Sequence, residues 1–230
     1  MFLILIAVAL FAALSYAVTQ SGRGSGSLDR EQALLEAVDI VQYVALVEQA
    51  WTRLLLTGGC TRQQISFDFS PGSGGEKNAN APSDLSCHIF SSNGGGVRLP
   101  DEMMTAYSGQ RGWTEVDRYA FPGIGVSNDT SGSYCIGCEL FFVYHGLSDE
   151  ACRNINSKYS PNADFSANDT TDFPDMFYVH YNAYDGDFST TGGYWYETEA
   201  GGELNGAQTF CVKEYNGNEQ NVFLHLLWAR

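Results

Sequence analysis

The sequence predicts an α+β fold, in which a long N-terminal helix packs on one face of an antiparallel β-sheet head closed by disulfides. Three observations lead to that prediction. Within the first 59 residues an apolar run and a second, amphipathic helical pattern are separated by a Gly/Ser stretch. Runs rich in β-branched and aromatic residues then recur at 139–145, 208–214 and 221–228. All six cysteines, Cys60, Cys87, Cys135, Cys138, Cys152 and Cys211, follow the helical part. An even number of cysteines outside a membrane reads as disulfides.

The first twenty-two residues carry no charge, and residues 1–18 are almost purely apolar. As a helix rising about 1.5 Å per residue, this run is about 27 Å long, close to the hydrocarbon core of a bilayer. A cleaved signal peptide fits it poorly, because no Lys or Arg precedes Arg23 and Tyr16 is bulky where a small residue is needed. A plain anchor lacks the flanking positive charge that sets orientation, since Arg23 and Arg30 lie only on the C-terminal side. The expectation is therefore a processed N-terminus whose apolar helix first anchors the chain and later serves in packing. Residues 19–27, with Gly22, Gly24 and Gly26 among serines, predict a flexible or melted joint.

Helical periodicity returns over 28–59. Ser27 or Asp29 can cap this helix, with Asp29 and Glu31 near its start where the dipole favours acids. Leu34, Val38, Val41, Ala45 and Leu55, with Leu35, Val44 and Trp51 alongside, form the expected apolar stripe. Gly58 and Gly59 end it.

The remaining residues, 60–230, suit one globular domain. Residues 70–82 read as an exposed loop, and Cys87–Phe90 as a short strand stopped by Ser91-Ser-Asn-Gly-Gly-Gly96. Residues 110–126 are ambiguous, with Trp113, Val116 and Tyr119 candidates for strands. Glu139–His145 is the strongest central-strand candidate. Ser148 can cap a short helix reaching about Ser157, with Asp149 and Glu150 in its first turn. Residues 160–175 read as a polar loop, and 175–184 and 194–198 as strands about a Gly/Asp turn. Residues 208–214 and 221–228 flank Tyr215-Asn-Gly-Asn218, a hairpin signal, so the last strand is expected to finish the sheet.

The net charge of −15 excludes a nucleic-acid partner, which needs a basic face, and suits an extracellular surface. P-loop, dinucleotide, HExxH and GxSxG patterns are missing, so no catalysis is expected. Cys135-Ile-Gly-Cys138 has the CxxC spacing of redox and zinc sites, yet no second CxxC or close His pair accompanies it. His88, His145, His180 and His225 are scattered, so a local structural disulfide is the default. No cofactor or metal is expected; Asp185 and Asp187 are the calcium candidates, beside a second acidic group at Asp164, Asp169, Asp172 and Asp175. Tyr178, Tyr181, Tyr184, Tyr194, Trp195 and Tyr196 are expected mainly in the core, with a glycan-binding face as the alternative.

The order of apolar helix, pliable joint, amphipathic helix and head resembles the type IV pilin-like superfamily, the bacterial pilins and pseudopilins. Residues 1–57 match its long helix in order and length, with 19–27 at the mid-helix melted stretch. Leu147–Asn156, followed by Thr209-Phe-Cys-Val212, resembles the Cys-bearing short helix and late Cys of type IVb-like members. The family usually has a glutamate where this chain has Leu5, and no acidic residue occurs here before Asp29.

The resemblance implies a structural subunit of an extracellular filament on the bacterial surface, a helical homopolymer held in the inner membrane before assembly. It also implies a prepilin peptidase and a pilus assembly machinery as partners. Met1, Phe2, Leu5, Ala9, Ala13 and Tyr16 would then lie on the polymerisation helix. Sequence alone allows 15 disulfide connectivities; the expected set is Cys60–Cys87, Cys135–Cys138 and Cys152–Cys211. Asn128 and Asn168 open N-x-T patterns that read as plain polar loops in a bacterial protein. The rival readings are a membrane-anchored tip subunit or adhesin, and an anchored periplasmic thiol-redox protein using Cys135 and Cys138.

Overall fold

The computed structural model describes residues 25–68, 78–99, 112–120, 124, 139–160, 184, 194–195, 206–214 and 220–229. Helix α1 (Ser25–Leu56) leads into a short 3-10 turn at Arg62–Gln64. Strands β1 (Gly112–Ala120) and β2 (Glu139–Leu147) follow, then helix α2 (Asp149–Tyr159), and strands β3 (Tyr194–Trp195), β4 (Thr209–Glu214) and β5 (Gln220–Trp228). The sheet order is β3-β1-β2-β5-β4. Its body is four antiparallel strands, and the two-residue β3 runs parallel to β1 at one edge. This is an α+β arrangement of helices on a small antiparallel sheet.

Helix α1 begins three residues earlier than the periodicity predicts. Ser25–Ser27 are helical, so Gly26 belongs to the helix and not to the joint, and no acid lies in the first turn. A glycine costs a helix about 1 kcal/mol in its interior. In the first turn the backbone N–H groups have no intrahelical partners in any case, so the helix extends through it. At the other end Thr57 and Gly58 donate to Arg53 O at 2.9 and 3.1 Å. Gly59, at φ +70°, then turns the chain out of the helix as predicted.

The buried face of α1 is Ala33, Ala37, Ile40, Val44, Val47, Trp51 and Leu54, a 4-3 repeat. It is not the predicted stripe. Val44 and Trp51 are shared, but Leu34, Leu35 and Val38 are exposed. The helix is apolar on more than one side, and the small residues Ala33 and Ala37 face inward where α2 approaches closely.

Strand β2 is central, as its composition predicts, and is buried on both faces. Leu140, Phe142 and Tyr144 join the core that α1 covers, together with Trp113, Cys211 and Phe223. Phe141, Val143, Phe210 and Leu224 are also buried, on the opposite face set by the register. The last strand, β5, completes the sheet from inside, between β2 and β4. The predicted strand at 87–90 is instead a series of turns with a single parallel bridge, Ser66 to His88. Its local bonds, such as His88 N to Leu85 O, curl the segment too tightly for a ladder.

Helix α2 opens on the predicted cap, Ser148, whose hydroxyl accepts from Ala151 N at 3.3 Å. It protects the edge strand β4. Asn156 donates from Nδ2 to Cys211 O at 2.8 Å and accepts from Cys211 N at 2.7 Å. Ser160 donates to Thr209 O at 2.7 Å. Backbone groups that would otherwise form an open, aggregation-prone edge are thus satisfied by side chains. The Cys152–Cys211 disulfide, with Cα atoms 5.4 Å apart, fastens the same contact. Cys60–Cys87, Cα atoms 5.8 Å apart, ties the end of α1 to the 85–90 turns. Both are expected pairs; Cys135 and Cys138 lie outside the described residues.

Replacing Asn156 with Leu orphans the N–H and C=O of Cys211, each costing about 1–3 kcal/mol when buried. A fall in the urea unfolding free energy of about 2–5 kcal/mol is the expected result. A loss under 0.5 kcal/mol contradicts this account of the β4 edge.

Candidate functional site

Helix α1 offers the surfaces on which a function can be built, because it presents more than its core-facing stripe. On its outward side Leu28 is 61 % exposed, Leu35 62 %, Leu46 53 % and Val38 40 %, with Leu34 beside them. At 100° per residue, Leu28, Leu35 and Leu46 fall within about 20° of one another, roughly opposite Ala37 and Val44. Among the described residues nothing buries them, although Leu46 also lines a cleft against the head. Single exposed leucines need no explanation, but several aligned on one helix form a stripe able to meet a partner.

The same helix is locked to the head by polar contacts along its flank. Glu36 Oε2 accepts from Ser148 Oγ at 2.6 Å and from Ser148 N at 3.3 Å, so one carboxylate of α1 sits at the positive end of α2. Arg30 pairs with Glu150 at 3.9 Å, an exposed contact of small energetic weight. Asn221 bridges Leu147 O at 3.0 Å and Asp149 Oδ1 at 2.8 Å, joining β5 to the same corner. These contacts fix the azimuth of α1, and with it the direction its outward stripe faces.

Between α1 and the 95–99 segment lies an open cleft of about 700 Å³. Asp39, Tyr43, Leu46, Gln49 and Arg53 line it from the helix, Gly95–Leu99 from the facing segment, and Trp113 and Tyr144 from the sheet. Tyr43 donates to Arg98 O at 3.0 Å, and Arg53 donates through Nη2 to Gly95 O, so the two walls are tied at two levels. Burial pushes the Tyr43 phenol well above its ordinary pKa, keeping it a neutral donor. Gly95 lies flat against the backbone of Ile89, where a Cβ would collide, which explains one glycine of the Gly94–Gly96 run. The chain matches no family model, no curated protein and no solved structure.

Most residues expected to act lie outside the described region. These are Met1, Phe2, Leu5, Ala9, Ala13, Tyr16, Gly22, Gly24, Cys135, Cys138, Asp185, Asp187, Asn128 and Asn168. Among the described residues no helix is long and apolar enough to cross a membrane. Nor, among them, does any group of His, Cys, Asp and Glu form a metal cluster. Of the tyrosines weighed for a glycan face, Tyr184 is a core residue. It is buried, its ring packs edge-on to Phe67 at 6.1 Å, and its hydroxyl donates to Arg62 O at 2.6 Å. The cleft was not singled out in the sequence; Asp39, Tyr43 and Arg53, spread over about four turns of α1, were the available signal.

His225 sits at the helix–sheet junction, with Nδ1 2.8 Å from Thr209 Oγ1 and Nε2 3.6 Å from Glu48 on α1. Burial lowers its pKa below the ordinary 6.5, and Glu48 offsets this only in part. The unfolded chain therefore takes up this proton as pH falls through 6.5, while the folded protein resists it. Stability from this group is intact above that pH and declines below it. Urea midpoints measured from pH 7.5 down to 5 are expected to fall more steeply in the wild type than in His225→Gln. Parallel profiles would remove His225 as the cause.

Proposed function

We propose that this chain is a structural subunit of an extracellular filament of the type IV pilin-like kind, polymerising through its N-terminal apolar helix and performing no catalysis. The observation that supports it most is the apolar stripe of α1, Leu28, Leu35, Val38 and Leu46, exposed among the described residues. It lies on the helix that the uncharged run 1–18 precedes in sequence. In this reading residues 1–18 reside in the inner membrane and then transfer into a bundle of equivalent helices. Lipid and bundle are both apolar, so the transfer exchanges one apolar surrounding for another. The outward stripe continues the packing surface towards the head, and residues 19–24 with their glycines let the rod adjust its register. The disulfide-bonded head forms the outer wall, where a net charge of −15 keeps it solvated. A rarer tip subunit that binds a ligand is the second reading, favoured by the cleft beside α1.

Ala13→Asp places a charge in the apolar run, and Leu35→Glu places one on the outward stripe. Both are expected to abolish filaments in sheared surface fractions viewed by electron microscopy. Leu35→Glu should leave the melting of the head within about 0.5 kcal/mol of wild type, as a surface change does. Normal filaments from either variant would defeat the proposal.

A further inference from the structure

We propose that helix α2 is a redox-held cover on strand β4, and that breaking Cys152–Cys211 opens this strand to pair with β4 of a second copy. The inference is independent of filament assembly.

Among the described residues β4 is the last strand on its side of the sheet, and α2 packs along it. Consecutive residues of an antiparallel strand direct their N–H and C=O groups to opposite neighbours. Gln208 O accepts from Leu226 N at 2.8 Å, so the even-numbered residues serve β5. Thr209, Cys211 and Lys213 therefore direct theirs away from it. Asn156 meets the Cys211 pair as the peptide group of a neighbouring strand would, with one donor and one acceptor. Ser160 donates to Thr209 O in the same way. With these side chains α2 stands in for a strand.

The hold on α2 is uneven along its length. Its N-terminal end is fixed to α1 and β5, through Ser148 to Glu36 and Asp149 to Asn221. Its body buries only Ala151, Cys152 and Ile155 as apolar side chains, a small area to press it on the sheet. The disulfide closes a separation of 59 residues and fixes the turn of α2 that lies against Cys211. A dithiol reductant that gives two electrons and two protons to this bond leaves two thiols and itself becomes a disulfide. The bonds from Asn156 and Ser160 then compete with bonds of the same kind from a strand of a second copy.

The edge is complementary to itself. A two-fold axis at Cys211 sets that residue opposite its own copy and Lys213 opposite the second copy's Thr209, all with groups directed outward. Glu214 falls opposite the second copy's Gln208, so no like charges meet.

Sedimentation velocity of the full-length chain in detergent micelles tests this. Cys152→Ala/Cys211→Ala is expected to associate at least about tenfold more tightly than wild type. Adding Lys213→Pro removes an outward N–H at a position where an edge strand tolerates proline, and should return the double variant to wild-type behaviour. An unfolded chain aggregates whatever stands at 213, so association that persists in the triple variant overturns the proposal. A double variant that associates no more than wild type overturns it as well.

Discussion

The structure depends on a continuous seam of aromatic rings that joins helix α1 to the sheet. Tyr43 meets Trp113, Trp113 stacks on Phe142 at 4.8 Å, Phe142 stacks on Phe67 at 5.9 Å, and Phe67 stacks on Trp51 at 5.8 Å. The path leaves α1, crosses β1 and β2, passes through the segment after the helix, and returns to α1 two turns further on. Large rings of this kind each bury about 150–250 Å², and pairs add about 0.5–1.5 kcal/mol beyond the area they bury. Tyr184 and Phe90 brace the seam edge-on at Phe67. Because the rings interdigitate, α1 has little freedom to roll against the sheet. Everything that faces away from the seam therefore has a fixed direction.

Fixing one face of a helix also defines what is left over. With Ala33, Ala37, Ile40, Val44, Val47, Trp51 and Leu54 committed inward, the leucines on the other side stay exposed among the described residues. A helix apolar on both sides is a costly choice for an isolated domain, and it makes sense where a second surface covers the other side. The disulfides act at the margins of this arrangement. Cys60–Cys87 holds the chain where it leaves α1, and Cys152–Cys211 holds α2 against the edge strand.

What was legible in the sequence was local. The central strand at Glu139–His145 declares itself through β-branched and aromatic composition, and Ser148 with Asp149 and Glu150 announces the start of α2. The glycines after Leu56 mark the end of α1 for the same reason: a single residue's backbone preference decides them. The orientation of α1 was not legible. A periodicity argument weighs Leu34 and Val38 above Ala33 and Ala37, because it scores hydrophobicity and not closeness of approach. The core instead takes Ala33 and Ala37 and leaves Leu34 and Val38 exposed. Residues 87–90 were misread for a related reason. Their composition suits a strand, but the Gly94–Gly96 run and the Cys60–Cys87 bond draw the chain into turns. The cleft was hidden because its walls come from three parts of the chain that only the fold brings together.

The two candidate surfaces meet at Leu46, which lies on the outward stripe and also on the rim of the cleft. That shared residue constrains how they can coexist. A neighbouring helix laid along Leu28, Leu35 and Val38 need not reach Leu46, two turns further towards the head, and the cleft then stays open to solvent. A neighbour that extends to Leu46 narrows the mouth of the cleft. The polar residues around Leu46 bear on which arrangement the helix suits. Gln42, Gln49 and Arg53 are all exposed near it, whereas the residues around Leu35 include Leu34 and Val38. Leu56, at 78 % the most exposed of these side chains, lies beyond the cleft, so exposed apolar surface runs the length of α1 and is not confined to the end nearest the uncharged run.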